Sequence, residues 1–284
     1  MANLNPYLQL MRMNRPVGSL LLLWPTLAAL WMAAEGLPPT NLIVIFTLGT
    51  FVMRSAGCVI NDFADRDVDG SVRRTKERPL ATGSVSHKAA LTLFGGLLLL
   101  AGVLVLFLNW QTQLLAVGGL GVAILYPFMK RWTHLPQTVL GVAFSWGILM
   151  AWTATGTGLN SAAFLFFTGS VLWIVAYDTM YAMVDREDDL KVGVKSTAIL
   201  FGELDRLMVG VLQICTILIL VLLGQKLGYV HAYFMGVAVA ACLFAFQQHL
   251  IRERSASGCM QAFTNNILVG FALFVGTVVE LALT

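Results

Sequence analysis

Residues 41–69 read NLIVIFTLGTFVMRSAGCVINDFADRDVD. Twenty residues containing one charge, Arg54, run into nine that hold Asp62, Asp65, Asp67 and Asp69. A bilayer core of about 30 Å is crossed by a helix of about 20 apolar residues, so the first part has the length of one span. The abrupt change to carboxylates marks where that helix meets water.

Working outward, the same apolar run recurs. Nine segments are expected to span the membrane, at 17–34, 41–60, 89–108, 112–129, 136–154, 162–183, 207–225, 230–249 and 265–283. Composition agrees: 58% of the 284 residues are hydrophobic and 12% charged, and mean hydropathy is +0.78. Soluble domains carry about 25% charged residues, so a soluble enzyme is excluded, as is a disordered chain. A transmembrane barrel would alternate apolar and polar residues, whereas Leu20–Leu23 and Leu97–Leu100 are continuous. A net charge of +3 is too small to point to nucleic acid. Cys58, Cys215, Cys242 and Cys259 form no CxxC pair, which argues against zinc and a disulfide framework. The first apolar segment contains Trp24 and Pro25, reads as a retained helix rather than a cleaved signal, and has no transit peptide before it. That favours a bacterial cytoplasmic membrane.

Sixteen of eighteen Lys and Arg residues fall in the N-terminal tail and in the loops after the second, fourth, sixth and eighth segments. Lys226 stands alone on the opposite side, and Arg54 is inside a segment. The positive-inside rule puts the basic side, and the N-terminus, in the cytoplasm. The expected fold is all-α: a polytopic bundle of nine transmembrane helices over a single domain, 1–284. Four acidic residues cluster at Asp62–Asp69 and five at Asp178–Asp189, four segments apart. The recurrence suggests two four-helix units plus one helix.

If the second helix continues through its cluster, each residue turns about 100°: Asp65 lies about 40° from Asn61, Asp69 about 80° and Asp62 about 100°, with Arg54 about two turns deeper, while Asp67 points about 240° away. In the second cluster Asp178, Asp185 and Asp189 stack within about 20° of one stripe. Stacked carboxylates repel one another. Hard oxygen donors without paired His or Cys suit Mg²⁺, which shares its sphere with substrate phosphate. Two such helix ends facing each other would hold a Mg²⁺–diphosphate. Arg73, Arg74, Lys76 and Arg78 follow the first cluster and supply cations that grip phosphate; topology alone also places basic residues there. Arg54 and Asp178 are the charges expected within membrane depth, where charged side chains face a cavity.

The pattern Asn61-Asp62-x-x-Asp65-x-x-x-Asp69, then Asp178-x-x-Tyr181-Ala182-x-x-Asp185-x-x-Asp188-Asp189, resembles the UbiA superfamily of intramembrane prenyltransferases over nearly the whole chain. Arg15-Pro16-Val17-Gly18, Met53–Cys58, Arg78-Pro79-Leu80, Tyr126–Arg131 and Lys195–Ala198 are similar to one branch, the 4-hydroxybenzoate polyprenyltransferases of ubiquinone biosynthesis. The resemblance implies transfer of a polyprenyl group from its diphosphate to 4-hydroxybenzoate, with Mg²⁺ bound by Asp62, Asp65, Asp69, Asp185 and Asp189. It implies that Asn61 assists, that Arg78, Lys130 and Tyr126 contact the diphosphate, and that Arg15, Arg54 and Asp178 line the cavity. Tyr181 joins the substrate-binding set, and Asp65, Asp185, Arg54 and Asp178 the catalytic one. Trp146, Trp152, Trp173 and Tyr177 are candidates to face an allylic cation. Gly95-Gly96 and Gly118-Gly119 are expected at close helix contacts. Other readings are another aromatic acceptor, a cation or proton transporter, a membrane assembly factor and a CDP-alcohol phosphotransferase. Transport would place the acids nearer the midplane.

Overall fold

The structure is a computed structural model and describes residues 5–283. Eleven α-helices are present among the described residues: α1 (Pro6–Leu10), α2 (Val17–Ala34), α3 (Thr40–Ala64), α4 (His87–Leu106), α5 (Trp110–Trp132), α6 (Pro136–Ala154), α7 (Ser161–Val192), α8 (Thr197–Phe201), α9 (Asp205–Lys226), α10 (Ala232–Leu250) and α11 (Ala256–Leu283). Nine stretches are long and apolar enough to cross a membrane, with α8 and α9 together making one of them. They match the nine expected segments, so the all-α membrane bundle stands.

The helices outrun the apolar segments where polar residues find partners. α11 begins at Ala256, not near 265. Its polar entry is helical because Asn265 and Asn266 turn inward: Gln247 Nε2 donates to Asn265 Oδ1 at 2.9 Å, and Trp173 Nε1 donates to Asn266 Oδ1 at 2.7 Å. A buried amide left unpaired would be costly. α7 runs 32 residues and stops at Gly193, whose φ of 74° is the left-handed cap that glycine adopts without penalty.

Sequence neighbours pack side by side, and α11 returns to α2, closing a ring. α2 packs on α6, α2 touches α7 and α3 touches α6. The first two helices of the first expected four-helix unit thus face the first two of the second, and α11 lies beside α10 as α6 lies beside α5. Trp152, Trp173, Phe166 and Tyr233 fill the core. At the α10–α11 crossing a Cβ on Gly236 would lie 2.7 Å from the Ala272 carbonyl oxygen, and one on Gly276 2.9 Å from that of Ala232. Small residues let backbones meet where lipid offers no hydrophobic drive.

Two sequence expectations need correction. Gly95 and Gly96 meet nothing within 4 Å of an added Cβ and serve no close contact, whereas Gly118 and Gly119 make room for the Trp146 ring. The second spanning helix does not continue through the first aspartate cluster. α3 ends at Ala64, and Asp69 starts a 3-10 turn, Asp69–Ser71. The chain turns because the loop has better partners: Thr75 Oγ1 donates to the Asp69 carbonyl at 2.9 Å, and Arg78 grips the Asp69 carboxylate.

Candidate active site

One end of the bundle gathers nearly all the charge. α3 delivers Asn61 and Asp62 on its last turn and Asp65 at its cap. α7 carries Asp178, Tyr181, Asp185 and Asp189 along one face. The loop after α3 crosses to α7: Arg74 Nε lies 3.0 and 2.9 Å from the Asp185 oxygens, and the Arg73 amide donates to Asp188 Oδ2 at 3.1 Å. The two aspartate clusters, more than a hundred residues apart, therefore face each other across a basic bridge.

They rim a cavity of about 1340 Å³ that also reaches Leu108 and Gln113 on the far side of the bundle. Every residue to which the resemblance gives a metal, substrate-binding or catalytic role lines it: Arg15, Arg54, Asn61, Asp62, Asp65, Asp69, Arg78, Tyr126, Lys130, Asp178, Tyr181, Asp185 and Asp189. Deeper in, the walls become apolar, with Leu98, Val105, Ala116, Leu120 and Ala123 from α4 and α5.

The rim is a lattice of opposite charges. Lys130 Nζ is 2.8 Å from Asp65 and 3.3 Å from Asn61 Oδ1. Arg78 Nη1 reaches Asp62 at 3.0 Å and Asp69 at 2.9 Å. Asp62, 1% exposed, is also held by Arg12 at 2.8 Å. Asp189 and Asp178 make no ion pair among the described residues. Burial pushes the Asp69 carboxyl above the ordinary carboxylate range, Asp65 and Asp62 add to the shift, and Arg78 opposes it. Crowded, partly buried carboxylates of this kind gain from an added cation.

Asp67 faces away, 71% exposed and 3.6 Å from Arg66, although the expected reason, a continuous helix, is wrong. Asp188 likewise pairs outward with Arg73 and Lys191.

Below the rim, Arg54 is sunk against Phe144, 5.4 Å from the ring centre. Among the described residues its Nε has no hydrogen-bond partner, and neither do the Tyr177 hydroxyl and the Ser145 hydroxyl. A Cβ at Gly18 would collide with the Arg54 guanidinium, so that glycine makes its berth. Of the four aromatic candidates, Trp146 and Tyr177 line the cavity. Trp152 and Trp173 sit in the core at 1% and 2% exposure, so they serve packing. Arg12 was not singled out by sequence, and Arg74 only as one of four loop cations. Neither carries a signal to separate it from its neighbours, because any basic residue on that face satisfies the charge bias.

The donor set fits magnesium: five carboxylates and one amide oxygen, with no sulfur or imidazole. Among the described residues no three acidic, histidine or cysteine side chains converge into a closed cage. Mg²⁺ bound by one or two carboxylates completes its sphere with phosphate oxygens and water. A charged rim over a deep apolar cavity in a membrane bundle suits a molecule with a polar head and an apolar tail.

The chain belongs to the UbiA prenyltransferase family, whose sequence profile matches residues 22–275. It is 55% identical over 282 residues to the 4-hydroxybenzoate octaprenyltransferase of Marinobacter nauticus, covering 99% of this chain and 96% of that one. It is 57% identical over 270 residues to the enzyme of that name from Vibrio cholerae, covering 95% of each. Among solved structures, a UbiA homologue from Aeropyrum pernix superimposes with a TM-score of 0.82 at 20% identity, over 92% of this chain and 97% of that one. One from Archaeoglobus fulgidus, bound to GPP and Mg²⁺, gives 0.67 at 19% identity, over 95% and 99%. The chain is thus an integral membrane prenyltransferase.

Proposed function

We propose that this protein transfers a polyprenyl group from polyprenyl diphosphate to 4-hydroxybenzoate, at the carbon ortho to the hydroxyl, releasing diphosphate in ubiquinone biosynthesis. The observation that carries the reading is the convergence of both aspartate clusters and their basic partners on the rim of one deep apolar cavity. The whole chain acts as one domain in a bacterial inner membrane, with the N-terminus and the cavity mouth at the cytoplasmic face. The basic bias of that face supports this orientation.

Asp62, Asp65, Asp69, Asp185 and Asp189 are the residues that would hold Mg²⁺, which when bound withdraws charge from the leaving diphosphate. Once diphosphate enters the metal-loaded site, Arg74, Arg78 and Lys130 turn from their carboxylates to its oxygens, with Arg able to grip two at once. Tyr126 and Tyr181 line the same wall, and Arg15 closes the mouth from the start of α2. The allylic C–O bond breaks with its electron pair going to the diphosphate. The phenol carbon forms the new C–C bond and the ring loses its proton. Arg54, unpartnered at Nε, orients the acceptor through its carboxylate. Asp178, free of ion pairing, faces the acceptor hydroxyl. Phe144 and Tyr177 line the space in which the allylic cation forms, and the apolar walls exclude water and receive the isoprenoid tail.

The test is to incubate the purified protein in liposomes with a polyprenyl diphosphate and 4-hydroxybenzoate, with Mg²⁺ or with EDTA. Prenylated acid detected by mass only with Mg²⁺ is the expected result. Absence of product and of released diphosphate with several tail lengths overturns the proposal.

A further inference from the structure

Asp62 is doubly paired. Its oxygens are met by Arg78 at 3.0 Å and by one terminal nitrogen of Arg12 at 2.9 and 2.8 Å. Two guanidinium charges crowd this one carboxylate, so a cation approaching Asp62 is opposed until one arginine withdraws.

The structure distinguishes the two. Arg78 is 13% exposed and doubly tied, since it also grips Asp69 at 3.0 and 2.9 Å. Arg12 is 25% exposed and sits in an N-terminal strap made of α1 and the turn that leads into α2. Of the strap's described residues from Asn5 to Arg15, Leu10 alone is buried, against Val59, Leu80, Val85 and Ala90. Arg12 also has a φ of 56°, left-handed for a non-glycine residue, and its Nη1 donates to the Gln9 carbonyl at 2.8 Å. A side chain held over a carboxylate by a strained backbone is released more readily than one packed on both sides. Gln9, Arg12, Asn14 and Arg15 together form the strap's share of the cavity wall.

We propose that Arg12 is a counter-charge standing in the metal's place at Asp62, and that metal loading displaces it and loosens the N-terminal strap over the cavity mouth. The inference rests on the reading of Asp62 as a metal ligand. It adds a positioning residue outside both aspartate motifs and a reciprocal coupling: what favours metal disfavours the closed strap, and the converse.

The experiment measures Mg²⁺ binding calorimetrically on the full-length protein in detergent, without substrate, for the wild type, Arg12→Ala, Arg12→Lys and Asp65→Asn. Limited trypsin digestion at the strap runs in parallel, with and without Mg²⁺. Arg12→Ala is expected to bind Mg²⁺ at least about fivefold more tightly than the wild type, with Arg12→Lys between them. Mg²⁺ is expected to speed strap cleavage in the wild type. Unchanged or weaker binding in Arg12→Ala, while the wild type binds and Asp65→Asn does not, overturns the counter-charge and leaves the metal reading standing. The same holds if Mg²⁺ slows strap cleavage. No Mg²⁺ binding by any form overturns both.

Discussion

Asp65 and Asp185 are each held by one basic side chain at the cavity rim, Lys130 at 2.8 Å and Arg74 at 2.5 Å. Asp67, two residues from Asp65, points into solvent. Asp65→Ala and Asp185→Ala are expected to lower turnover by about a hundredfold or more, the scale for losing a group that stabilises transition-state charge. Asp67→Ala is expected to leave turnover near wild type and stability within about 0.5 kcal/mol. Turnover assays with membrane-insertion controls on the three variants check both. Gly18 offers a different test, since the atoms nearest to an added Cβ there all belong to the Arg54 guanidinium. Gly18→Val displaces the guanidinium, and the KM for 4-hydroxybenzoate should rise more than that for the prenyl diphosphate. Asp69 carries a pH signature. Its folded pKa is raised by burial, so the native state binds the proton more tightly than the unfolded one. Its contribution to stability then falls as pH rises from the ordinary carboxylate range through the raised value. The metal-free wild type should therefore lose stability relative to Asp69→Asn across that window, measured as the difference in Tm against pH.

At the scale of elements, glycines separate packed faces from lipid-facing ones. Gly236 on α10 meets the backbone of α11, whereas Gly95 on α4 faces open space. Gly236→Leu overpacks the crossing and should cost about 1–3 kcal/mol, whereas Gly95→Leu should cost almost nothing. Thermal unfolding in detergent distinguishes them. The contrast between α3 and α7 is of the same scale. Both end in aspartates at similar spacing, yet α7 stays helical to Val192 and α3 stops at Ala64. The helical-face argument located Asp185 and Asp189 for the right reason. It located Asp69 for the wrong one, because Asp69 reaches the rim through a turn stabilised by Thr75 and Arg78.

For the whole molecule, the one-sided distribution of Lys and Arg predicts the orientation of the bundle. With the four native cysteines replaced, a cysteine at exposed Ser84 should react with a membrane-impermeant maleimide only from the cytoplasmic side. One at Leu159, 41% exposed in a turn at the opposite end, should react only from outside. The reverse pattern would invert the proposed topology.

Nine spans, the charged face and two aspartate motifs were legible in the residues themselves, because bilayer thickness sets helix length and periodicity sets which side chains share a face. The tertiary structure decided what pairs with what. No one-dimensional pattern shows that Arg74 bridges to Asp185, that Arg12 lies on Asp62, or that Trp173 packs in the core while Tyr177 faces the cavity. Such contacts join residues distant in sequence, and on a face already rich in arginine, composition does not tell one guanidinium from the next. Only the packing of the ring decides which charge reaches which.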